Sequence, residues 1–202
     1  MIILNEVTEL RKVIEKAARE SRSIGFVPTM GALHAGHLSL INSANESCDI
    51  TVCSIFVNPV QFNDPKDYEK YPVTIERDVA FLEKAGTDFL FLPSVNEMYP
   101  GGIRHLEHYD LGYLESILEG KYRPGHFQGV AQVMSRLLQF TQPNMLFMGQ
   151  KDYQQCMVVQ RLIEIKNFTN TRLVICPTVR EPDGLAMSSR NDNIFLLLSA
   201  QI

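Results

Sequence analysis

Apolar runs and helical periods alternate along most of the chain. Residues 7–20 place apolar side chains at helical spacing and predict an amphipathic helix; the short run 24–28 predicts a strand. A polar, glycine-bearing turn follows, and helical spacing resumes to about Ser47. Residues 50–57 form a nearly unbroken apolar run, as a strand covered on both faces requires. Residues 74–85 predict a helix closed by Gly86, and 88–92 a third strand. Further along, 113–118 and 128–140 read as helical, 144–148 as a strand, 152–166 as a helix and 172–176 as a last strand. Strands alternating with helices imply an α/β fold with a doubly wound parallel sheet and helices on both faces. In such sheets ligands bind beyond the carboxyl ends of the strands. The polar clusters fall there, at residues 58–63 and 149–152, both expected to face the turn after the first strand.

Composition narrows the classes. The 202 residues are 45% hydrophobic and 21% charged, enough for one good core and the start of a second domain. A net charge of −4 and a pI near 5.7 argue against nucleic acid held on a general basic surface. The first residues lack the basic and apolar regions of a signal peptide, and no apolar run approaches the roughly 20 residues of a membrane span. Cys48, Cys53, Cys156 and Cys176 show no CxxC spacing and lie in or beside apolar segments, so they read as buried thiols in a reducing, cytoplasmic compartment.

The candidate chemistry starts at the first turn. His34 and His37 stand three residues apart between a strand and a helix, with Gly31 and Gly36 opening the backbone. Unpaired N–H groups and the positive dipole end of a helix N-terminus suit phosphate, and histidines there add donors. Zinc is the weaker reading, because no Cys pair or nearby carboxylate completes a site. Gly149-Gln150-Lys151-Asp152 opens a helix, either as a plain capped start or with Lys151 reaching a phosphate. Met187-Ser188-Ser189-Arg190 is either a polar hinge or a loop that closes on a triphosphate. Arg123 and His126 lie in a turn before a helix, with a solvated arginine as the default. Gln61 and Gln155 could each bind a carboxylate or hydroxyl. Glu76 and Asp78, beside Arg77, read as a solvated face, and Met134, Leu137 and Leu138 as core. No Walker A sequence, GxGxxG or Ser–His–Asp order is present. Together the clusters offer charge stabilisation and positioning, which displacement at a phosphate needs.

Five blocks in one order carry a resemblance: residues 26–41, 54–62, 118–127, 149–155 and 180–191. They resemble the pantothenate synthetase family, related through the paired-histidine motif to nucleotidyltransferases and class I aminoacyl-tRNA synthetases. The resemblance implies a Rossmann-like catalytic domain over residues 1–180. It also implies a ligase of the pantothenate and coenzyme A pathway, a cytoplasmic homodimer with no membrane or nucleic-acid partner. The reaction implied is ATP-dependent condensation of (R)-pantoate with β-alanine through a pantoyl-adenylate, releasing AMP and pyrophosphate, with Mg²⁺ required.

By the same resemblance Met30, Gly31, Ala32, Leu33, His34, Ala35, Gly36 and His37 line the ATP site, His37 matching the proton donor. Gly149, Gln150, Lys151 and Asp152 contact the nucleotide, Val179 the adenine, and Met187, Ser188, Ser189 and Arg190 close on the phosphates. Gln61 and Gln155 hold pantoate, assisted by Asn58; Arg123 and His126 match further substrate positions. Two features depart from the family pattern. Gln150 replaces a glutamate, and residues 181–202 offer only a loop and the stub of a C-terminal lid domain, with an apolar tail at 194–198. The chain is therefore expected to be a fragment or a shortened member, with a nucleotide-binding, dimerising remnant and an adenylyltransferase for another small acid as the alternative functions.

Overall fold

The computed structural model describes residues 1–104 and 106–191. The apolar tail and the rest of the expected lid stub lie outside the described residues. The chain runs through β1 (Ile2–Leu4), α1 (Val7–Arg19), β2 (Ile24–Thr29), α2 (Ala35–Ser47), β3 (Ile50–Ile55), α3 (Pro65–Glu69), α4 (Ile75–Lys84), β4 (Phe89–Phe91) and α5 (Val95–Met98). It continues through α6 (Leu118–Tyr122), α7 (His126–Thr141), β5 (Met145–Gly149), α8 (Tyr153–Ile165) and β6 (Arg172–Cys176). Short 3-10 turns occupy Pro59–Gln61, Gly112–Glu115 and Gln150–Asp152.

The six strands pair in parallel in the order β1-β4-β3-β2-β5-β6. Successive side chains of a strand point to opposite faces, and the buried residues divide accordingly. Phe26, Val52 and Leu146 join the core under α1, α7 and α8, whereas Val27, Cys53 and Phe147 join the core under α2 and α4. This two-sided burial explains why β3 reads as one apolar run. The doubly wound arrangement anticipated from the alternation is present.

Strand order reverses between β2 and β5: β3 and β4 lie to one side of β2, β5 and β6 to the other. The chain leaving β2 turns into α2 on one face, and the chain leaving β5 turns into α8 on the other. Their loops part and leave a crevice at the carboxyl edge. At the opposite, amino end of β2, α2 packs close on the sheet: a Cβ on Gly25 would stand 3.2 Å from Ala44, Cys48 and Phe147.

Three expectations need correction. The segment 113–118 is not one helix, because Leu118 takes φ +45° and separates the turn Gly112–Glu115 from α6. Strand β1 and helices α3 and α5 were not anticipated: three to five residues show no period, and β4, as short, stands out only as an apolar run between Gly86 and Pro93. Asp78 is not on a solvated face: it is fully buried.

Candidate active site

The histidine turn is built from β2 outward. Thr29 closes the strand by donating its hydroxyl to the Ser54 carbonyl (2.8 Å) and accepting the Gly31 N–H (3.2 Å). Gly31 and Ala32 then adopt φ +83° and +49°. The left-handed region suits glycine, but Ala32 carries a Cβ and must be held there. Asp78 does so, its two oxygens accepting the Ala32 and Leu33 N–H groups at 2.9 and 2.8 Å.

His34 caps α2, its Nδ1 accepting the Gly36 N–H at 3.1 Å. His37 answers from the first turn, its Nδ1 accepting the His34 N–H at 3.3 Å, so the two residues form a reciprocal capping box. A ring nitrogen that accepts cannot carry the proton, so each neutral imidazole bears its proton on Nε2. The ring centroids are 4.1 Å apart. Burial lowers the His37 pKa to about 3, with smaller contributions from His34 and Lys151. His37 is therefore neutral near pH 7 and offers an Nε2–H donor. Gly36 makes room for the His34 ring, since a Cβ there would lie 2.9 Å from His34 Cε1.

A second wall comes from the turn Pro59–Gln61. His126, at the start of α7 and 4% exposed, bonds the Gln61 carbonyl through Nδ1 at 2.9 Å, and Arg123 approaches its Nε2 at 3.2 Å. A carbonyl only accepts, so His126 Nδ1 is the donor and Nε2 accepts from Arg123. Burial lowers the His126 pKa. Arg123 is also ion-paired with Glu119. Gly129 lets α7 approach this turn, for a Cβ would fall 2.6 Å from the Val60 carbonyl and 2.8 Å from Gln61 Cα.

Asn58, expected to assist in holding pantoate, lies behind the cavity wall. It is 1% exposed and lines no part of the cavity. Its Nδ2 donates to the Gly129 carbonyl (3.0 Å), and its Oδ1 accepts from the Tyr99 hydroxyl (2.9 Å). It ties α7 to the turn that carries Gln61.

The third wall is the carboxyl end of β5 and the loop after β6. Lys151 and Asp152 face the cavity and pair with each other at 3.3 Å, while Gln150 points outside. Residues 179–191 fold back on themselves: Arg180 bridges Ala186, and the Met187 N–H donates to the Val179 carbonyl at 3.0 Å. Ser189 then reaches the Ala32 carbonyl at 2.9 Å.

These walls enclose a cavity of about 250 Å³. Among the expected residues, Met30, His34, Gly36, His37, Gln61, Arg123, His126, Gly149, Lys151, Asp152, Gln155, Val179 and Met187 to Arg190 line it. Gly31, Ala32 and Leu33 are buried outside the lining, and Ala35 is exposed beyond it, so their part in the site is to shape the turn. Tyr71 also lines the cavity, its hydroxyl beside Ser189 and its pKa raised by burial. Sequence reasoning missed Tyr71 and Asp78. A signal for Asp78 existed: Ile75, Asp78 and Leu82 share one helical stripe, so a carboxylate stands where the period demands an inward side chain.

A parallel doubly wound sheet, a histidine-capped helix at its switch point and a donor-lined crevice define a Rossmann-like α/β protein with a ligand site at the carboxyl edge of its sheet. The model of the Pantoate-beta-alanine ligase family matches residues 2–196, and the chain belongs to that family. It is 49% identical over 191 residues to a pantothenate synthetase of Porphyromonas gingivalis, covering 95% of this chain and 67% of that protein. Against the pantothenate synthetase of Francisella tularensis subsp. novicida the identity is 46% over 195 residues, with 96% and 73% covered. The fold superposes on pantoate-beta-alanine ligase from Francisella tularensis, complexed with beta-gamma ATP and beta-alanine, with a TM-score of 0.90 at 45% identity, covering 96% of this chain and 73% of that one. For pantothenate synthetase from Thermus thermophilus the TM-score is 0.87 at 47% identity, with 95% and 67% covered.

Proposed function

We propose that this chain performs the ligase reaction of its family, joining (R)-pantoate to β-alanine at the expense of ATP. In the first step a pantoate carboxylate oxygen attacks the α-phosphorus, and pyrophosphate leaves. In the second the β-alanine amine attacks the acyl carbon, AMP leaves with the bonding electrons, and the nitrogen loses its proton. Neither step needs an enzyme nucleophile, so catalysis rests on positioning and on donors aimed at developing charge.

The observation that carries this reading is the convergence of three kinds of group on one cavity. His34 and His37 offer Nε2–H donors, Lys151 and Arg190 supply cationic charge, and Gln61 and Gln155 are neutral amides. The histidines suit the α-phosphate oxygens. Lys151 leaves Asp152 for phosphate, and Asp152 then serves the ribose. Neutral glutamines hold a hydroxy acid without quenching the carboxylate that must attack. The pantoyl-adenylate is a mixed anhydride open to hydrolysis, so closure of residues 181–191 protects it.

Among the described residues no group of three or more His, Cys, Asp or Glu side chains is placed to hold a metal ion. This donor set fits Mg²⁺ arriving on the triphosphate, which keeps most of its waters and takes few protein ligands. With Asp152 on the ribose and Glu119, the other carboxylate lining the cavity, paired with Arg123, the triphosphate itself would hold the ion, which would supply neutralisation of phosphate charge. Among the described residues no helix is long and apolar enough to cross a membrane. A homodimer in the cytoplasm completes the proposal, and sedimentation velocity reads the assembly.

The test is pyrophosphate release from ATP with pantoate alone, then AMP and pantothenate on adding β-alanine. Nucleotide binding without turnover establishes the remnant instead. Turnover only with another carboxylic acid overturns the substrate assignment.

A further inference from the structure

We propose that Asp78 is a positioning residue for the adenylation step, acting through the turn at residues 31–33 on the placement of His34 and His37. The inference rests on the reading of that histidine pair as phosphate donors. Asp78 is fully buried and lies outside the cavity lining, so it touches no substrate. A buried carboxylate is costly unless its oxygens are satisfied, and here they are satisfied by the turn. Oδ1 accepts the Leu33 N–H at 2.8 Å and Oδ2 the Ala32 N–H at 2.9 Å. The Thr74 hydroxyl, one helical turn earlier, lies 3.1 Å from each oxygen and fixes the carboxylate plane.

The carbonyls of the same two residues are also held. The Ala32 carbonyl accepts from Ser189 at 2.9 Å, and the Leu33 carbonyl accepts from Arg77 at 3.2 Å. All four backbone polar groups of Ala32 and Leu33 are thus taken by side chains, three of them from α4. Ala32, a non-glycine residue at positive φ, does not hold that conformation without support. His34 follows directly and places its ring on the geometry of this turn, and His37 takes its orientation from the His34 N–H. A rigid tether from α4 therefore sets where the two Nε2–H donors stand.

Asp78→Asn keeps the volume but turns one acceptor into a donor facing an N–H. The expected result is a fall of about 10²-fold in kcat for pantoate-dependent pyrophosphate release, the scale of an ångström misplacement. Nucleotide affinity by equilibrium dialysis moves little, and amide formation from supplied pantoyl-adenylate and β-alanine keeps its rate. Glu76→Gln, on the exposed side of α4, is the control that leaves both half-reactions unchanged. A folded Asp78→Asn protein with the parental rate of pyrophosphate release overturns the proposal, as does an equal loss in both half-reactions. Should that variant not fold, Thr74→Val slows the first half-reaction and Thr74→Ser restores it; equal rates in both overturn the proposal. If the parent chain itself releases no pyrophosphate, the proposed function fails and the tether is read separately. Amide exchange at Ala32 and Leu33 must then quicken in Asp78→Asn or Thr74→Val, and unchanged exchange overturns the tether.

Discussion

Ser189 donates its hydroxyl to the Ala32 carbonyl at 2.9 Å, tying the loop after the last strand to the turn that bears the histidine pair. This contact latches the loop against the site. Tyr71 stands beside the same hydroxyl, so three distant parts of the chain meet at one point.

Ser189→Ala removes the latch and leaves the Ala32 carbonyl to water. A neutral hydrogen bond of this kind contributes about 0.5–1.5 kcal/mol. Faster amide exchange over residues 181–191, with global stability nearly unchanged, is the expected outcome. Pyrophosphate release slows in step with the open fraction of the loop.

His37→Ala deletes one Nε2–H donor, and with it the Nδ1 that accepts the His34 N–H, while the His34 cap on the Gly36 N–H stays in place. Loss of one donor to a developing oxyanion costs about 10²–10³-fold in rate. The expectation is a loss of that size in pantoate-dependent pyrophosphate release, with ATP binding largely retained. Rapid-quench assays read the first, and nucleotide titration the second.

The depressed His37 pKa also makes a stability prediction. Its folded value is near 3 against 6.5 for the free side chain. Between those values the unfolded chain binds a proton that the folded chain refuses, so stability falls as pH falls below about 6.5. Above that pH His37 contributes no slope. Urea midpoints measured from pH 7 to pH 4 should therefore decline more steeply in the parent than in His37→Gln.

Gly129→Ala tests the contact beneath the substrate wall. The added methyl would sit 2.6 Å from the Val60 carbonyl and must push α7 away from the turn carrying Gln61. Overpacking of this kind costs about 1–3 kcal/mol. Thermal unfolding should register that loss, and the KM for pantoate should rise more than the KM for ATP.

Asn58→Ala separates a structural asparagine from a substrate ligand. Removing it leaves the Gly129 carbonyl and the Tyr99 hydroxyl, both buried, without that partner. The Gly129 carbonyl keeps its bond within α7, but the unsatisfied Tyr99 hydroxyl costs about 1–3 kcal/mol, so the variant should unfold at lower temperature. A folded variant with unchanged stability and a raised pantoate KM would return Asn58 to the substrate site.

Periodicity revealed β2, β3 and β5 and the helices α1, α2, α4, α7 and α8, because each is long enough to show its spacing and buries a coherent face. The donor clusters were legible for a related reason: polar residues and glycines interrupt apolar runs at strand ends, where a doubly wound sheet places ligands. The edge strand β1 and the helices α3 and α5 escaped notice because three to five residues carry no period. Asp78 was misread because its neighbours Glu76 and Arg77 are solvated, although its own helical stripe points inward.

By itself the sequence determined the layered α/β class, the family, and which segments carry donors, since these follow from local spacing and residue chemistry. Tertiary structure decided which donors meet. It opened the crevice between β2 and β5, tied Asn58 to Gly129 and Tyr99, and brought Ser189 to Ala32 and Asp78 beneath the histidine turn. Those relations join residues tens to more than a hundred positions apart. They depend on strand order and on the satisfaction of buried polar groups, neither of which is written in local spacing.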